Sequence, residues 1–288
     1  MPAAPAHAAT KLPRGLLTPA IINAVGENGE CGRAMRVSGR VAPRRAGALE
    51  WRPRATARET AMPNRTLQVR HLGRMEYGAA YQVQQETERA VRERAQPDTL
   101  LLVEHPHVVT LGRRTTPGAL LASEETLGAR GVALFETNRG GKATYHGLGQ
   151  LVGYPIINLS PDREDVHAYV RALETVLIRA LADFRLEAFP VKGLTGVHTT
   201  RGKVAAIGVH IARWVTTHGF ALNVNTDLSY FDLIVPCEGE AVTSMKELLG
   251  RDVDMRAVAA RVVARFAEVF GLAVAAPQPA RATSSATP

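Results

Sequence analysis

One α/β domain, a mixed β-sheet flanked by helices, is the fold predicted for residues 62–275. Three observations predict it. Short β-rich runs interleave with helical patterns along the chain instead of segregating from them. Two later segments carry apolar residues at spacings of three and four, the stripe of an amphipathic helix. Two β-rich runs flank a glycine, which reads as an antiparallel hairpin within the sheet.

Taken in order, LQVRHL (67–72) alternates as a strand does, and YGAAYQVQQETERAVRERA (77–95) reads as a helix. TLLLVEH (99–105) is a continuous apolar run, hence a buried strand, and VVTLG (108–112) follows it. LVGYPIINL (151–159) is another strand. From Asp165, the residues Val166, Tyr169, Val170, Leu173, Val176, Leu177, Leu181 and Phe184 form the clearest helical stripe in the chain. KVAAIGVHIARWV (203–215) and FALNVNTDL (220–228) make the hairpin, with Thr217, His218 and Gly219 as its expected turn. Met255, Val258, Val262, Phe266 and Val269 mark a last amphipathic helix.

The 288 residues are 45% hydrophobic and 22% charged, the composition of a soluble globular protein. No apolar run approaches the roughly 20 residues that span a bilayer, so no membrane association is expected. Two cysteines, Cys31 and Cys237, are too few for a disulfide framework and point to a reducing, cytoplasmic setting. The net charge of +8 invites a nucleic-acid reading. Residues 1–61 hold ten basic side chains against four acidic ones, however, a net +6 that leaves +2 for the rest. The basic signal belongs to an Ala-, Arg-, Pro- and Gly-rich extension expected to be disordered, and no nucleic-acid partner is expected. A transit peptide is one reading of this extension, and translation from upstream of a start at Met62 is the other. The tail from Ala276 to Pro288 reads as solvated too.

Chemistry concentrates in a few places. RGGKATYHGLGQ (139–150) carries four glycines around Tyr145 and His146. It lacks the Gly-Lys-Ser/Thr ending of a phosphate loop, and its glycines lead into a strand instead of a helix, so phosphate binding is disfavoured. Cys237, in LIVPCEGE, stands where the chain is expected to turn. An isolated cysteine is more often a small buried hydrophobe, yet a nucleophile also suits such a turn. Lys203 opens a strand; an ammonium beside the cysteine would favour thiolate over thiol. His146 and His218 each precede a glycine, and either line a site or hold backbone in place. Glu104, His105 and His107 lack a zinc-ligand spacing, so no metal and no cofactor are expected.

In order, RGGKATYHGLGQL, GKVAAIGVHI, HGFALNVNTDL and a Pro-Cys pair followed by VTSM resemble the lipoyl(octanoyl) transferase family, also called lipoate-protein ligase B. The segments HLGRMEYGAAY and EHPHVVTLGR fit it as well, so the resemblance covers nearly everything outside the tails. It implies a fold like that of biotin and lipoate protein ligases. It also implies an enzyme that moves an octanoyl group from acyl carrier protein to a lysine of lipoyl domains, including those of 2-oxoacid dehydrogenase complexes and the glycine cleavage H protein. By resemblance, Cys237 is the acyl-thioester nucleophile and Lys203 lowers its pKa. Arg139, Gly140, Gly141, Lys142, Ala143, Thr144, Tyr145 and His146 would line the acyl site with Ala206, Ile207, Gly208, Gly219, Phe220 and Ala221. The glycines would then let backbone pack against the acyl chain. Glu238 departs from the family, which usually has glycine after the cysteine. Two rival readings remain, an ATP-dependent lipoate or biotin ligase and a non-catalytic acyl-carrier-binding module. The first lacks an adenylate-type loop here, and the second does not explain Cys237 and Lys203.

Overall fold

The computed structural model describes residues 65–235 and 241–276. The extension over 1–61, all but the first residue of the C-terminal tail, and Cys237 lie outside the described residues.

The chain begins with β1 (Thr66–Arg74), α1 (Tyr77–Arg92), β2 (Asp98–Glu104), β3 (Val108–Leu111), α2 (Glu124–Ala129) and β4 (Ala133–Glu136). It continues through β5 (Ala143–His146), β6 (Gln150–Ile156), α3 (Val166–Ala182), β7 (Phe189–Val191) and β8 (Leu194–Thr199). After β9 (Gly202–Ala212) and β10 (Val215–Asn223) come a 3-10 helix (Leu228–Leu233), α4 (Met245–Leu249), α5 (Met255–Phe270) and β11 (Ala273–Val274). Eight strands form one mixed sheet in the order β11-β1-β2-β6-β10-β9-β8-β7, parallel at β11-β1-β2 and antiparallel beyond. The expected mixed sheet is therefore present, but β3 leaves it and joins β4 and β5 in a second, three-stranded sheet.

Strand parity explains how the large sheet is covered. Leu100 and Leu102 of β2 pack with α3 and α5, through Leu173, Leu177, Val262 and Phe266. Leu101 and Val103, one residue out of phase, pack with Ala80 and Val91 of α1 on the other face. Both faces being covered, β2 has no need of polar alternation, which is why it reads as a continuous apolar run. α3 starts where expected, because the Asp165 carboxylate accepts the Ala168 N–H at 2.9 Å and satisfies an otherwise orphaned donor.

The β9–β10 hairpin is present, but Thr217, His218 and Gly219 are not its turn. They lie within β10, where Gly219 pairs with Gly208. The turn is Arg213–Trp214, with φ of 49° and 62°, the positive pair of a tight two-residue hairpin loop. Gly219 is a glycine for a different reason: a Cβ there would strike the Gly153 carbonyl and the Pro155 ring on β6. His218 has φ of 57° in mid-strand, and its N–H donates to Gln84 Oε1 of α1 at 2.9 Å, so the helix side chain satisfies the kinked backbone.

Candidate active site

A cavity of about 190 Å3 lies on the α1 side of the large sheet, larger than the roughly 150 Å3 space that holds a six-carbon ring. β6, β9 and β10 supply one wall, through Val152, Tyr154, Ala206, Ile207, Gly208, Phe220 and Ala221. The segment from Arg139 into β5 supplies another, and Gly193, Leu194 and Thr195, at the start of β8, add to it. The floor residues Tyr77, His146, Tyr154 and His218 are all buried, while Arg114 and Thr195 are exposed at the rim. Arg114, Arg139, Lys142 and Lys203 all line it, and no Asp or Glu does among the described residues.

Most of the residues singled out in the sequence meet here. Lys203, Arg139, Gly141, Lys142, Ala143, Thr144, His146, Ala206, Ile207, Gly208, Gly219, Phe220 and Ala221 all line the cavity. Tyr145 does not. On β5 its neighbours Thr144 and His146 face the cavity, so the two-residue period turns Tyr145 to the opposite side. There it sits fully buried with Val109, Leu233 and Ile234, its hydroxyl 2.7 Å from His107 Nδ1. Gly140 is also outside the lining; its N–H donates to Val209 O at 2.9 Å and ties the segment to β9. Of the four glycines in 139–150, Gly141 alone lines the cavity. A Cβ on Gly147 would overlap the Tyr145 hydroxyl, so that glycine accommodates the protein's own ring and not a ligand.

Lys203 stands at the head of β9, its stem passing over Gly196, where an added Cβ would come within 3.3 Å of Lys203 Cε. Its backbone fixes the far side of the cysteine segment. The Lys203 N–H donates to Ala241 O at 2.8 Å, and the Thr243 N–H donates to Lys203 O at 3.0 Å. On the near side the Val235 N–H donates to Ala119 O at 2.8 Å. Cys237 itself lies outside the described residues, but Ile234 and Val242, which flank its segment, both line the cavity.

Arg139 is buried and donates to Thr110 O (2.7 Å), Thr110 Oγ1 (2.8 Å) and Gly140 O (3.1 Å), pinning the small sheet to the cavity wall. Its charge acts on the floor. Burial, then the fields of His105 and Arg139, lowers the His146 pKa to about 3; burial, then Arg139, lowers His218 to about 3. Burial lowers His105 to about 4. All three are neutral imidazoles at neutral pH. His105 donates from Nδ1 to Met75 O (2.7 Å), since a carbonyl can only accept, and its Nε2 receives the Tyr154 O–H (2.7 Å). Tyr77 stacks on His146, with centroids 6.0 Å apart. Sequence reasoning passed over Tyr77, Tyr154, Leu194 and Phe231, which come from four separate elements and meet only in the folded chain.

No helix among the described residues is long and apolar enough to cross a membrane. A profile of the Lipoyl protein ligase A/B catalytic domain matches residues 76–267. The fold is similar to lipoate-protein ligase A bound with ATP, with a TM-score of 0.61 at 19% identity over 76% of this chain and 90% of that one. It is also similar to a bi-partite lipoate protein ligase from Thermoplasma acidophilum, with a TM-score of 0.60 at 18% identity over 76% of this chain and 88% of that one. At the level of sequence, the chain is 50% identical over 203 residues to an octanoyltransferase of Solibacter usitatus, covering 70% of this chain and 92% of the relative. An octanoyltransferase of Chloroflexus aurantiacus is 50% identical over 214 residues, 72% of this chain and 96% of the relative. With half of the aligned residues identical to such enzymes over nearly their full length, the chain belongs to the octanoyltransferase family of acyltransferases.

Proposed function

We propose that this enzyme transfers an octanoyl group from acyl carrier protein to a lysine of a lipoyl domain through a thioester on Cys237, in the cytoplasm and without ATP. The observation that carries the reading is the cavity itself. It runs along β9 from Lys203 to Gly208, roughly 16 Å at ~3.3 Å per residue, with walls suited to a linear acyl chain. Its four cations, with no carboxylate among the described lining residues, favour a donor delivered on an anionic carrier, such as an acidic protein bearing a phosphodiester-linked thiol.

In the first step the Cys237 thiolate attacks the thioester carbonyl, a C–S bond forms, and the carrier's thiolate leaves with a proton from the Lys203 ammonium. In the second, the acceptor amine attacks the acyl-enzyme, the C–N bond forms, the Cys237 C–S bond breaks, and Lys203 takes the amine proton. The thioester is already activated, so no nucleotide is consumed. The cations also disfavour an ammonium in the cavity, so the acceptor lysine reacts as the free amine it must be. Residues 62–275 are the proposed catalytic unit, with lipoyl domains of 2-oxoacid dehydrogenase complexes and the glycine cleavage H protein as acceptors.

Intact-protein mass spectrometry after mixing with octanoyl-acyl carrier protein, ATP omitted, tests the reading. A thiol-labile octanoyl adduct is expected, absent in Cys237→Ser and chased onto added apo lipoyl domain. Transfer that requires ATP, or an adduct that persists in Cys237→Ser, overturns it. Lys203→Ala is expected to slow turnover by at least about a hundredfold with an unchanged melting temperature.

A further inference from the structure

His146 takes part in a hydrogen-bonded chain that determines which of its nitrogens carries the proton. At the far end, Asn223 Nδ2 donates to Thr243 O at 3.1 Å, so Asn223 Oδ1 points back into the chain. Gln150 Nε2 donates both to that Oδ1, at 2.9 Å, and to Tyr145 O, at 3.2 Å. Gln150 Oε1 is therefore the atom 2.8 Å from His146 Nδ1, and Nδ1 must donate to it. Each amide is oriented by a backbone carbonyl, which can only accept, so the polarity of the whole chain is set. His146, Gln150, Asn223 and Thr243 are all buried, which makes a reversed amide costly. With Nδ1 committed and the ring lining the cavity, Nε2 is the nitrogen left for a ligand, and it holds a lone pair.

We propose that Gln150 and Asn223 are positioning residues that lock His146 in the Nδ1–H tautomer, so that its Nε2 accepts an N–H from the substrate during acyl transfer. The inference rests on the octanoyl-transfer reading. A lone pair cannot stabilise the oxyanion that forms at the thioester carbon, so the partner is a donor. Two substrate groups supply one: the amide N–H of the carrier's thiol arm, present in acylation, and the acceptor lysine amine, present in transfer. His146 is not a general base, since it faces Tyr77, His105, Arg139 and His218, none of which is an anion at neutral pH. The chain also ends at Thr243, whose N–H holds Lys203 O, so the histidine and the lysine share one support.

Long-range 1H–15N spectra of the full chain with 15N-labelled histidine test the tautomer, and single-turnover acylation and transfer are timed separately. In the native protein His146 is expected as the Nδ1–H form. Gln150→Leu is expected to lose that signature and to slow one half-reaction about five- to tenfold, with the same adduct still formed on Cys237. Slowed acylation identifies the amide of the thiol arm as the donor, and slowed transfer identifies the amine. Gln150→Glu still accepts from Nδ1–H, so it is expected to keep the tautomer and slow the reaction less, while shifting His146 protonation to higher pH. An Nε2–H tautomer in the native protein, or unchanged half-reactions when Gln150→Leu has lost the tautomer, overturns the proposal. If Gln150→Leu does not fold, the unbranched Gln150→Met, which also lacks the amide, replaces it, and an unaltered spectrum or unaltered rates overturn the proposal as well. Failure of the octanoyl-transfer reading itself would appear separately, as the absence of any Cys237 adduct.

Discussion

The two faces of β5 carry the same residue types and do different things. Toward the cavity, His146 belongs to a buried group of neutral histidines and tyrosines with His105, Tyr77, Tyr154 and His218. On the opposite face, Tyr145 stacks against Tyr230 at 5.1 Å, Tyr230 stacks against His107 at 4.3 Å, and the Arg130 guanidinium covers Tyr230 at 4.3 Å. The outer group is closed by its own contacts. The inner group leaves a lone pair and a cavity. Adjacent positions, Tyr145 and His146, thus differ in surroundings because strand parity sends one into packing and the other toward the cavity.

Acid should separate the two faces most strongly. The folded pKa values of His146, His218 and His105 lie near 3, 3 and 4, below the ordinary 6.5. A depressed histidine contributes stability that is fully present above about pH 6.5 and is lost as pH falls toward the folded value. Each contributes about 1.4 kcal/mol per pH unit across that window, so the three together give a slope of up to ~4 kcal/mol per unit. Chemical denaturation between pH 7 and 4.5 should show this loss. Replacing His146 with Phe should flatten the slope by about a third, and an unchanged slope would break the comparison.

Gly147→Ala comes next. A new methyl against the Tyr145 hydroxyl is expected to cost about 1–3 kcal/mol, read as a lower denaturation midpoint. Activity per folded molecule should hold. The smallest effect belongs to Tyr145→Phe, which removes one hydrogen bond to His107 and is expected to cost about 1 kcal/mol with near-native turnover. A large fall in turnover for Tyr145→Phe, matching that of a cavity variant, would show the two faces to be coupled.

The sequence made the long elements legible because each repeats its own pattern. α3 shows seven apolar residues in phase, with Phe184 continuing the stripe just past its end, and an aspartate at its start; the structure begins it at Val166 with Asp165 as the cap. β4, β5 and β7 are three or four residues long, too short for a period to declare itself. The hairpin turn was misplaced because Arg213 and Trp214 lack the usual glycine or asparagine, while Gly219 mimics a turn signal. The site was read through its local motifs, which is why Arg139 through His146 arrive together and Tyr77 and Tyr154 were missed. Tyr145 was included with the rest of its motif, and the strand that turns it away from the cavity is too short to show in the sequence.

The backbone clasp at Lys203 has a consequence for anyone altering this enzyme. Because Ala241 and Thr243 are hydrogen-bonded to the lysine residue itself, and Val235 is tied to Ala119, the chain is anchored on both sides of positions 236 to 240. Substitutions between the anchors, at Glu238 for example, leave both sets of backbone hydrogen bonds in place. Adding or deleting one residue between the two anchors changes the number of positions from the proposed nucleophile to the clasp, so the two proposed catalytic residues are to be varied by substitution and not by insertion.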